Sequence, residues 1–363
     1  MRLALLGFGT AVPPHSITQQ EAAELAKVFS GLPHAETHRL FTLYQRTQIQ
    51  TRSSVLLEAA DGSSPRQSFF SPAENRTDCG PSTGQRMQRY AQEAAPLALT
   101  ASQRALTASG LTGSHINHLI TVSCTGFVAP GFDIALMKAL PLASTTSRTH
   151  VGFMGCHGAL NGLRVASALV RAYPDARALL CAVELCSLHF SYGGDPEKVV
   201  ANALFADGAA ALVVGPAAQV PTSAWRLVAV GSRLFPDSED AMRWRVGDHG
   251  FEMALSPGIP DLIARHLPSW LAAWLNQHGV TIPQVRSWAI HPGGPRILTA
   301  VAACLDLPQD ATAISREVLA EYGNMSSPTI LFILERLHRR GAPRPCVALA
   351  FGPGLSVEAA LFL

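Results

Sequence analysis

The order of predicted elements constrains this fold most, because apolar strands alternate with amphipathic helices and the alternation occurs twice. The segment 158–173, for example, places Leu160, Leu163 and Val170 on one helical face. Strands are predicted at 3–8, 118–123, 178–183, 209–214, 226–232, 287–291, 346–351 and 356–362. Helices are predicted at 19–29, 90–109, 158–173, across 257–276, at 295–304 and at 327–339. Strands and helices in alternation are typical of a layered α/β protein.

The length of the chain predicts more than one core. It has 363 residues, and a single hydrophobic core stops growing at roughly 250–300 residues. A proline-rich segment at 216–223 follows a predicted strand, and the same plan of elements then repeats. We therefore predict two related halves, residues 1–216 and 217–363. A long loop is predicted at 60–85, where turn-forming residues are frequent.

Composition excludes several classes of function. The net charge is +2, so there is no broad basic field for nucleic acid. No segment approaches the roughly 20 apolar residues of a membrane span. The apolar start of the chain is short and broken by glycine, which favours a buried strand over a signal peptide. The 7 cysteines are scattered and odd in number, which predicts reduced thiols in a cytoplasmic protein.

A cysteine in a glycine-framed turn is the first candidate catalytic residue. Cys156 follows a buried-looking strand, lies between Gly155 and Gly158, and precedes a predicted helix. The N-terminus of a helix carries partial positive charge, which favours the thiolate over the thiol. A thiolate is the form that attacks a thioester carbonyl. Cys156 is therefore a predicted nucleophile, with a buried structural cysteine as the alternative.

Two further residues lie in glycine-framed turns downstream. His291 ends a predicted strand and enters Pro-Gly-Gly-Pro, where a side chain points into the usual site of an α/β protein. Asn324 follows Gly323 and precedes a predicted helix, so it is either a helix cap or an amide donor to a developing oxyanion. A cysteine, a histidine and an asparagine in this order predict thioester chemistry.

Two other patterns are weaker. The run Gly7-Phe8-Gly9 has Val12 where a dinucleotide-binding loop needs its third glycine. Cys181, Cys186 and His189 match no common zinc spacing, and no metal site is predicted.

Several runs of the sequence resemble the signature runs of one family. They are Cys-Thr-Gly-Phe-Val-Ala-Pro-Gly at 124–131, Leu-Phe-Ala-Asp-Gly-Ala-Ala-Ala at 204–211, His-Pro-Gly-Gly-Pro at 291–295, Tyr-Gly-Asn-Met-Ser-Ser at 322–327 and Phe-Gly-Pro-Gly-Leu at 351–355. In this collinear order they resemble the type III polyketide synthases, the chalcone synthase-like family, over nearly the whole chain. Departures from the plant pattern, among them Cys124, His189 and Met242, indicate a bacterial-type member.

This resemblance implies a thiolase-like fold of two αβαβα halves and a homodimer. It implies that Cys156 takes a starter acyl group from coenzyme A, helped by an imidazolium at His291. His291 and Asn324 would bind the malonyl thioester, promote its decarboxylation and stabilise the enolate. Coenzyme A thioesters are then the substrates, and no separate cofactor, metal or carrier domain is implied.

The resemblance also implies two sets of binding residues. The cavity would be shaped by Phe205, Phe251, Cys124, His189 and Ser326. Coenzyme A would be bound by Arg39, Arg46, Gly293, Gly294, Arg296 and Gly352, since its phosphates need cations and its pantetheine arm needs close backbone.

The product is the least constrained expectation. Few large aromatic residues lie near Cys124, Ala129 and His189, which favours a medium or long fatty acyl starter and an alkylpyrone or alkylresorcinol-type product. The alternatives are a malonyl starter that gives a small phenolic ring and a single-condensation synthase like ketoacyl carrier-protein synthase III. A non-catalytic protein of thiolase fold is a third alternative, which the intact Cys156, His291 and Asn324 oppose.

Overall fold

Strands and helices alternate along the chain in the computed structural model, which describes residues 3–31, 34–59, 67–173, 175–217 and 224–363, with backbone alone for 34–36. The strands of this part are β1 (Leu3–Ala11), β2 (Ser16–Thr18), β3 (Thr51–Ser53), β4 (His118–Ser123), β5 (Ser147–Gly152), β6 (Ala178–Leu185), β7 (Asp207–Pro216), β8 (Arg226–Leu234), β9 (Met242–Gly247), β10 (Gly250–Leu255), β11 (Ser287–Ile290), β12 (Cys346–Gly352) and β13 (Ser356–Phe362). The helices are α1 (Gln19–Ser30), α2 (His34–Arg46), α3 (Thr83–Ser109), α4 (Phe132–Ala139), α5 (Gly158–Ala172), α6 (Pro196–Leu204), α7 (Ile259–Asn276), α8 (Pro295–Cys304), α9 (Ala313–Tyr322) and α10 (Pro328–Arg339).

The predicted strands and helices are present, and their ends differ by a few residues. α3 begins well before residue 90 because Ser82 and Gln85 form a capping box that starts the helix earlier. The pattern across 257–276 forms one helix, α7, which continues through Pro268. Of the predicted loop at 60–85, residues 60–66 lie outside the described residues, and residues 67–82 contain no helix or strand.

The strand expected before Cys156 is present as β5, but it is not buried: it reads Ser-Arg-Thr-His-Val-Gly, and its first four residues are exposed. The hairpin of β9 and β10 was missed, because its sequence lacks a clear apolar period. The hairpin of β9 and β10 carries arginines and a glutamate on its exposed face. Both elements border the candidate site.

The strand pairing repeats in the two halves of the chain. The nine-stranded sheet has the order β11-β12-β13-β8-β1-β7-β6-β4-β5. In the first half β1 is antiparallel to β7, β7 is antiparallel to β6, and β6 is parallel to β4. The strands β8, β13, β12 and β11 repeat these three relations. The halves join where Leu3 pairs with Leu227 and Ala4 with Arg226. The division at residue 216 stays a prediction, because residues 218–223 lie outside the described part.

The helices lie in layers around the two parts of the sheet. α5 and α10 share one apolar core with β6, β7, β12 and β13. α3 packs on the other face of β1, β6 and β7. α7 and α8 pack on the outer face of the second half. The order is therefore helix, sheet, helix, sheet, helix, as the predicted αβαβα arrangement requires. Within the described residues, no helix is both long and apolar enough to cross a membrane.

Candidate active site

Cys156 lies in a strained turn between β5 and α5. The backbone has φ angles of 59° at Phe153 and 72° at Gly155, in the left-handed region that glycine adopts without strain. A Cβ on Gly155 would also overlap the ring of Pro353. A single turn of 3-10 helix, Gly155–His157, then leads into α5, and Cys156 is only 5% exposed. The turn therefore holds the thiol at the start of α5 and inside the protein.

His291 follows β11 directly and is buried. Its backbone N–H donates to the Leu349 carbonyl of β12 at 2.8 Å, which continues the pairing of these two parallel strands. Neither imidazole nitrogen has a hydrogen-bond partner among the described residues. Buried polar groups usually have partners, so both nitrogens are available to a substrate or to the Cys156 thiol.

Asn324 is fixed by backbone bonds from the other half of the chain. Its N–H donates to the Leu204 carbonyl at 3.0 Å, and its carbonyl accepts from Ala206 N–H at 2.9 Å. Its side-chain Oδ1 accepts from Ser326 N–H at 2.8 Å. Because the oxygen is occupied in this way, the amide N–H groups of Asn324 remain as donors toward the cavity.

Cys156, His291 and Asn324 line one cavity of about 880 Å³. They come from the start of α5, the end of β11 and the segment between α9 and α10. The structure thus brings together the three residues that the sequence singled out, although their catalytic roles remain predictions.

Burial controls the protonation of the pair. Burial raises the pKa of the Cys156 thiol to about 12, and hydrogen bonds from Ser326 and Asn324 act against this rise. Burial, and to a smaller extent His157, lowers the pKa of His291 to about 3. Without substrate, both groups are therefore neutral near pH 7. The expectation that the start of the helix favours the thiolate is corrected here, because desolvation outweighs it at this depth.

Glu184 is a buried carboxylate beneath the site that the sequence analysis missed. It accepts hydrogen bonds from Cys124 N–H at 2.9 Å, Thr125 Oγ1 at 2.7 Å and Ser327 Oγ at 2.6 Å. Burial raises its pKa. The carboxylate ties the end of β4 to the segment that carries Asn324. A glutamate inside an otherwise apolar strand, β6, is the sequence signal that could have revealed it.

The predicted coenzyme A residues divide into two groups. Arg46, Gly293, Gly294 and Arg296 line the cavity of Cys156. Arg39 is exposed on α2 and does not line it. Gly352 approaches the ring of His157 instead, because a Cβ at this position would overlap that ring. Asp195 and Glu197 also line the cavity, so its lining is not uniformly positive.

A second, narrower cavity of about 120 Å³ adjoins the first. Phe205 and Met253 line both cavities and therefore divide them. The second cavity is enclosed by apolar side chains of α1, by residues 54–57 and by the aromatic rings of Phe70, Trp244 and Phe251. Of the residues predicted to shape the substrate cavity, Phe205, Phe251 and His189 line this space. Met253 and Trp244 were missed, because neither lies in a recognisable motif.

Cys124 and Ser326, also predicted to shape the cavity, line neither of the two cavities. These two residues and His189 are held in defined contacts. His189 stacks on Phe251 with ring centroids 4.3 Å apart. Its Nδ1 accepts from Phe251 N–H at 2.9 Å, and its Nε2 donates to the Thr125 carbonyl at 2.8 Å. Burial lowers the pKa of His189 to about 3, so the ring is neutral. Cys124 Sγ lies 3.5 Å from Ser326 Oγ, whose hydroxyl also interacts with Cys156.

No metal site accompanies these groups in the described part of the chain, where no three His, Cys, Asp or Glu side chains gather to hold an ion.

Comparison with known proteins places this geometry in a family. Residues 2–218 match the family model of chalcone and stilbene synthases, N-terminal domain, and residues 226–363 match that of chalcone and stilbene synthases, C-terminal domain.

Individual relatives agree over nearly the full chain. The chain is 34% identical over 366 residues, 98% of its length and 90% of the relative's, to the alpha-pyrone synthesis polyketide synthase-like Pks18 of Mycobacterium tuberculosis. It is 35% identical over 354 residues, 96% of its length and 90% of the relative's, to 1,3,6,8-tetrahydroxynaphthalene synthase of Streptomyces peucetius. The crystal structure of PKS-I from the brown alga Ectocarpus siliculosus superposes with a TM-score of 0.93 at 31% identity, over 99% of this chain and 98% of the other.

Proposed function

Because the chain belongs to the chalcone and stilbene synthases, the type III polyketide synthases of thiolase-like fold, we propose that its starter is a medium- or long-chain fatty acyl-CoA. Extension with malonyl-CoA and ring closure would give an alkylpyrone or alkylresorcinol-type product. Members of this family condense acyl-CoA and malonyl-CoA thioesters.

Loading of the starter begins at Cys156. The thiol transfers its proton to a ring nitrogen of His291, which has no other partner among the described residues. The resulting thiolate attacks the thioester carbonyl, and coenzyme A leaves with its sulfur. Desolvation opposes charge on both groups until they form an ion pair, so we expect proton transfer only when substrate occupies the cavity.

Extension uses His291 and Asn324 as donors. Their N–H groups bind the thioester carbonyl oxygen of malonyl-CoA, and loss of CO2 leaves an enolate whose charge falls on that oxygen. The enolate carbon then attacks the acyl group on Cys156. The carbon–sulfur bond to Cys156 breaks, and the elongated chain remains on coenzyme A. Repetition of these steps builds the polyketide.

The apolar second cavity carries the starter proposal. It begins beyond Phe205 and Met253, and its lining is formed mainly by aliphatic and aromatic side chains, including Leu25, Ala26 and Phe29 of α1. A small, apolar space suits an alkyl chain, because the transfer of its apolar surface out of water is favourable in free energy and the chain needs no hydrogen bonds. The alpha-pyrone synthesis named for the mycobacterial relative agrees with a pyrone product.

A malonyl starter that gives a small phenolic ring is the second candidate. It is favoured by the 35% identity to a tetrahydroxynaphthalene synthase. The cavity of about 880 Å³ around Cys156 has room for a folded polyketide without use of the second cavity.

Arg46 and Arg296 are the proposed cations for coenzyme A. Both line the cavity of Cys156 and are exposed, so they can pair with the phosphates of a bound thioester. Replacing Arg46 by Ala should raise KM for malonyl-CoA more than kcat changes. Arg39→Ala is the matched control, since Arg39 lies on the same helix but outside the cavity lining.

A homodimer is the proposed assembly. β5 is the last strand of the sheet, and residues 147–150 at this edge are exposed. Beside it, Phe127, Val128 and Met154 are 52%, 41% and 39% exposed, and the rings of Phe127 and Phe153 are in contact. An exposed strand edge beside an apolar patch favours pairing with a second chain.

A product assay tests the starter. The purified protein would receive labelled malonyl-CoA and starters from acetyl-CoA to palmitoyl-CoA, with mass spectrometry of the products and Cys156→Ala as the inactive control. Two variants on α1 separate chain binding from stability. Ala26→Leu narrows the second cavity, whereas Ala23→Leu changes an equally buried alanine that does not line it.

We expect Ala26→Leu to lose at least tenfold in activity with dodecanoyl-CoA and longer starters while activity with hexanoyl-CoA is retained. Ala23→Leu should affect all starters alike. If malonyl-CoA alone gives product, and the amount of product does not increase when any fatty acyl-CoA is added, the phenolic alternative would be favoured. Polyketide formed by Cys156→Ala would contradict the mechanism itself.

A further inference from the structure

His157 occupies a site that the chemistry above does not use. It directly follows the nucleophile Cys156, is 2% exposed and lies in the turn that begins α5. Its Nδ1 lies 2.7 Å from Asn161 Oδ1 and its Nε2 lies 2.8 Å from Ser356 Oγ. An aliphatic or aromatic side chain would fill the same volume without these two bonds.

The two hydrogen bonds connect the nucleophile turn to a turn of the other half. Ser356 begins β13, just after the turn Gly352–Gly354. The ring of His157 is so close to Gly352 that a Cβ there would overlap it, and Pro353 packs in the same way against Gly155. The turn of Cys156 and the turn between β12 and β13 are therefore in direct contact at two points.

The strand β12, which ends at Gly352, also contacts His291. The carbonyl of Leu349 on β12 accepts from His291 N–H at 2.8 Å, and Phe351 of β12 lines the cavity of Cys156. β12 thus makes two contacts with the site. Gly352 contacts the turn that carries Cys156, and Leu349 binds the backbone of His291. A shift of one turn against the other would change the separation of the thiol and the imidazole.

The hydrogen bonds of His157 fix one of its ring protons. Asn161 Oδ1 can only accept, which places a proton on Nδ1, and the Ser356 hydroxyl that lies against Nε2 also donates to the Pro353 carbonyl at 3.2 Å. Burial is the largest influence on the ring and lowers its pKa. The charged groups around it, Glu358 and Arg164, act in opposite directions and form an ion pair with each other.

We propose that His157 is a positioning residue of the condensation reaction, which fixes the turn of Cys156 against the Gly352–Gly354 turn and so sets the separation of Cys156 and His291. This inference rests on the proposed catalytic roles of these two residues. It does not depend on the starter or on the product.

The test compares His157→Phe, which keeps an aromatic ring and loses both hydrogen bonds, with His157→Gln, which keeps a donor and an acceptor. Two readouts are independent of the product: decarboxylation of malonyl-CoA, as kcat and KM, and alkylation of Cys156 by iodoacetamide. Ser356→Ala removes the bond to His157 Nε2 together with the bond of the Ser356 hydroxyl to the Pro353 carbonyl, and leaves the bond to Asn161 intact. It replaces the Phe variant if that variant does not fold. Ser287→Ala is the matched control, because it removes a serine bond to Pro343 at the end of β11 opposite to His291.

We expect His157→Phe to lower kcat for decarboxylation by about 10- to 100-fold, as small misplacements of reacting groups do, with KM changed less than about twofold. Alkylation of Cys156 should slow in the same variant, and His157→Gln should recover part of both losses. Ser356→Ala should lose about 3- to 10-fold in kcat, and Ser287→Ala less than twofold.

A kcat for His157→Phe within twofold of wild type, or an equal loss in the Ser287 control, would overturn the proposal. So would a change confined to KM. If wild-type protein makes no polyketide from any starter, the proposed function fails, and the alkylation rates still decide the role of His157.

Discussion

Phe205 and Asn324 form a parallel β-bridge at the contact between the two halves of the chain. The residue that divides the two cavities and the amide that faces Cys156 therefore belong to one backbone unit. A change in the position of the segment around Phe205 should also move the amide of Asn324. Through this bridge, the first half of the chain positions Asn324, a proposed catalytic residue of the second half.

Replacement of Asn324 by Ala should weaken decarboxylation of malonyl-CoA by a hundredfold or more, since loss of an oxyanion donor costs about 10²–10³ in kcat. Loading of an acyl group on Cys156 should persist, because Asn324 is not its nucleophile. Release of labelled CO2 and mass spectrometry of the acylated protein measure the two steps. A loss of less than tenfold would exclude Asn324 as an essential donor.

The His291 ring should remain neutral in the free protein between pH 5 and pH 8, because burial lowers its pKa to about 3. NMR of protein labelled at histidine would follow its titration, with His291→Asn to assign the signal. A midpoint near pH 6 or 7 would instead indicate an imidazolium paired with the Cys156 thiolate.

This shift also predicts a loss of stability in acid. The folded pKa of His291 is depressed below its unfolded value of 6.5, so the unfolded state binds more protons between the two values. The free energy of unfolding should therefore fall as the pH drops below 6.5. Chemical denaturation at pH 7 and pH 5 would measure a smaller fall in His291→Asn than in wild type.

Glu184→Gln should destabilise the fold by about 1–3 kcal/mol, because an amide nitrogen would face donors that need an acceptor. Burial raises the pKa of Glu184 above its usual value of 4.5. The folded state therefore binds the extra proton, and this carboxyl group's contribution to stability falls as pH rises above 4.5. Chemical denaturation of both proteins would measure the difference between their free energies of unfolding. The excess of wild type over Glu184→Gln should be larger at pH 5 than at pH 8, and an excess that grows with pH would contradict this prediction.

Val128→Asp should weaken the proposed homodimer, because it places a charge in the apolar patch beside β5. Light scattering after size-exclusion chromatography would measure an increased monomer fraction. Val28→Asp is the matched control, since Val28 is 51% exposed on α1, an element remote from β5 in the chain. A wild-type protein that is monomeric at micromolar concentration would rule out the assembly.

The alternation of strands and helices was readable because a local period in apolar residues determines each element. The exposure of β5 was not readable, since it depends on the position of Ser147–Gly152 as the last strand of the sheet. The motif residues Cys156, His291 and Asn324 were readable for another reason. Cys156 and Asn324 each follow a glycine with a positive φ angle, Gly155 and Gly323. His291 precedes the pair Gly293 and Gly294.

The sequence by itself determined the layered α/β order, the repetition of the plan and the identity of the residues around the thiol. Only the tertiary structure decided that a second cavity exists and that Phe205 and Met253 separate it from the first. The same holds for the hydrogen bonds that Glu184 accepts from Cys124 and Ser327. The tertiary structure also decided the burial that raises the pKa of the Cys156 thiol. These properties arise where side chains distant in the chain meet and exclude water, and burial of that kind leaves no local period in the sequence.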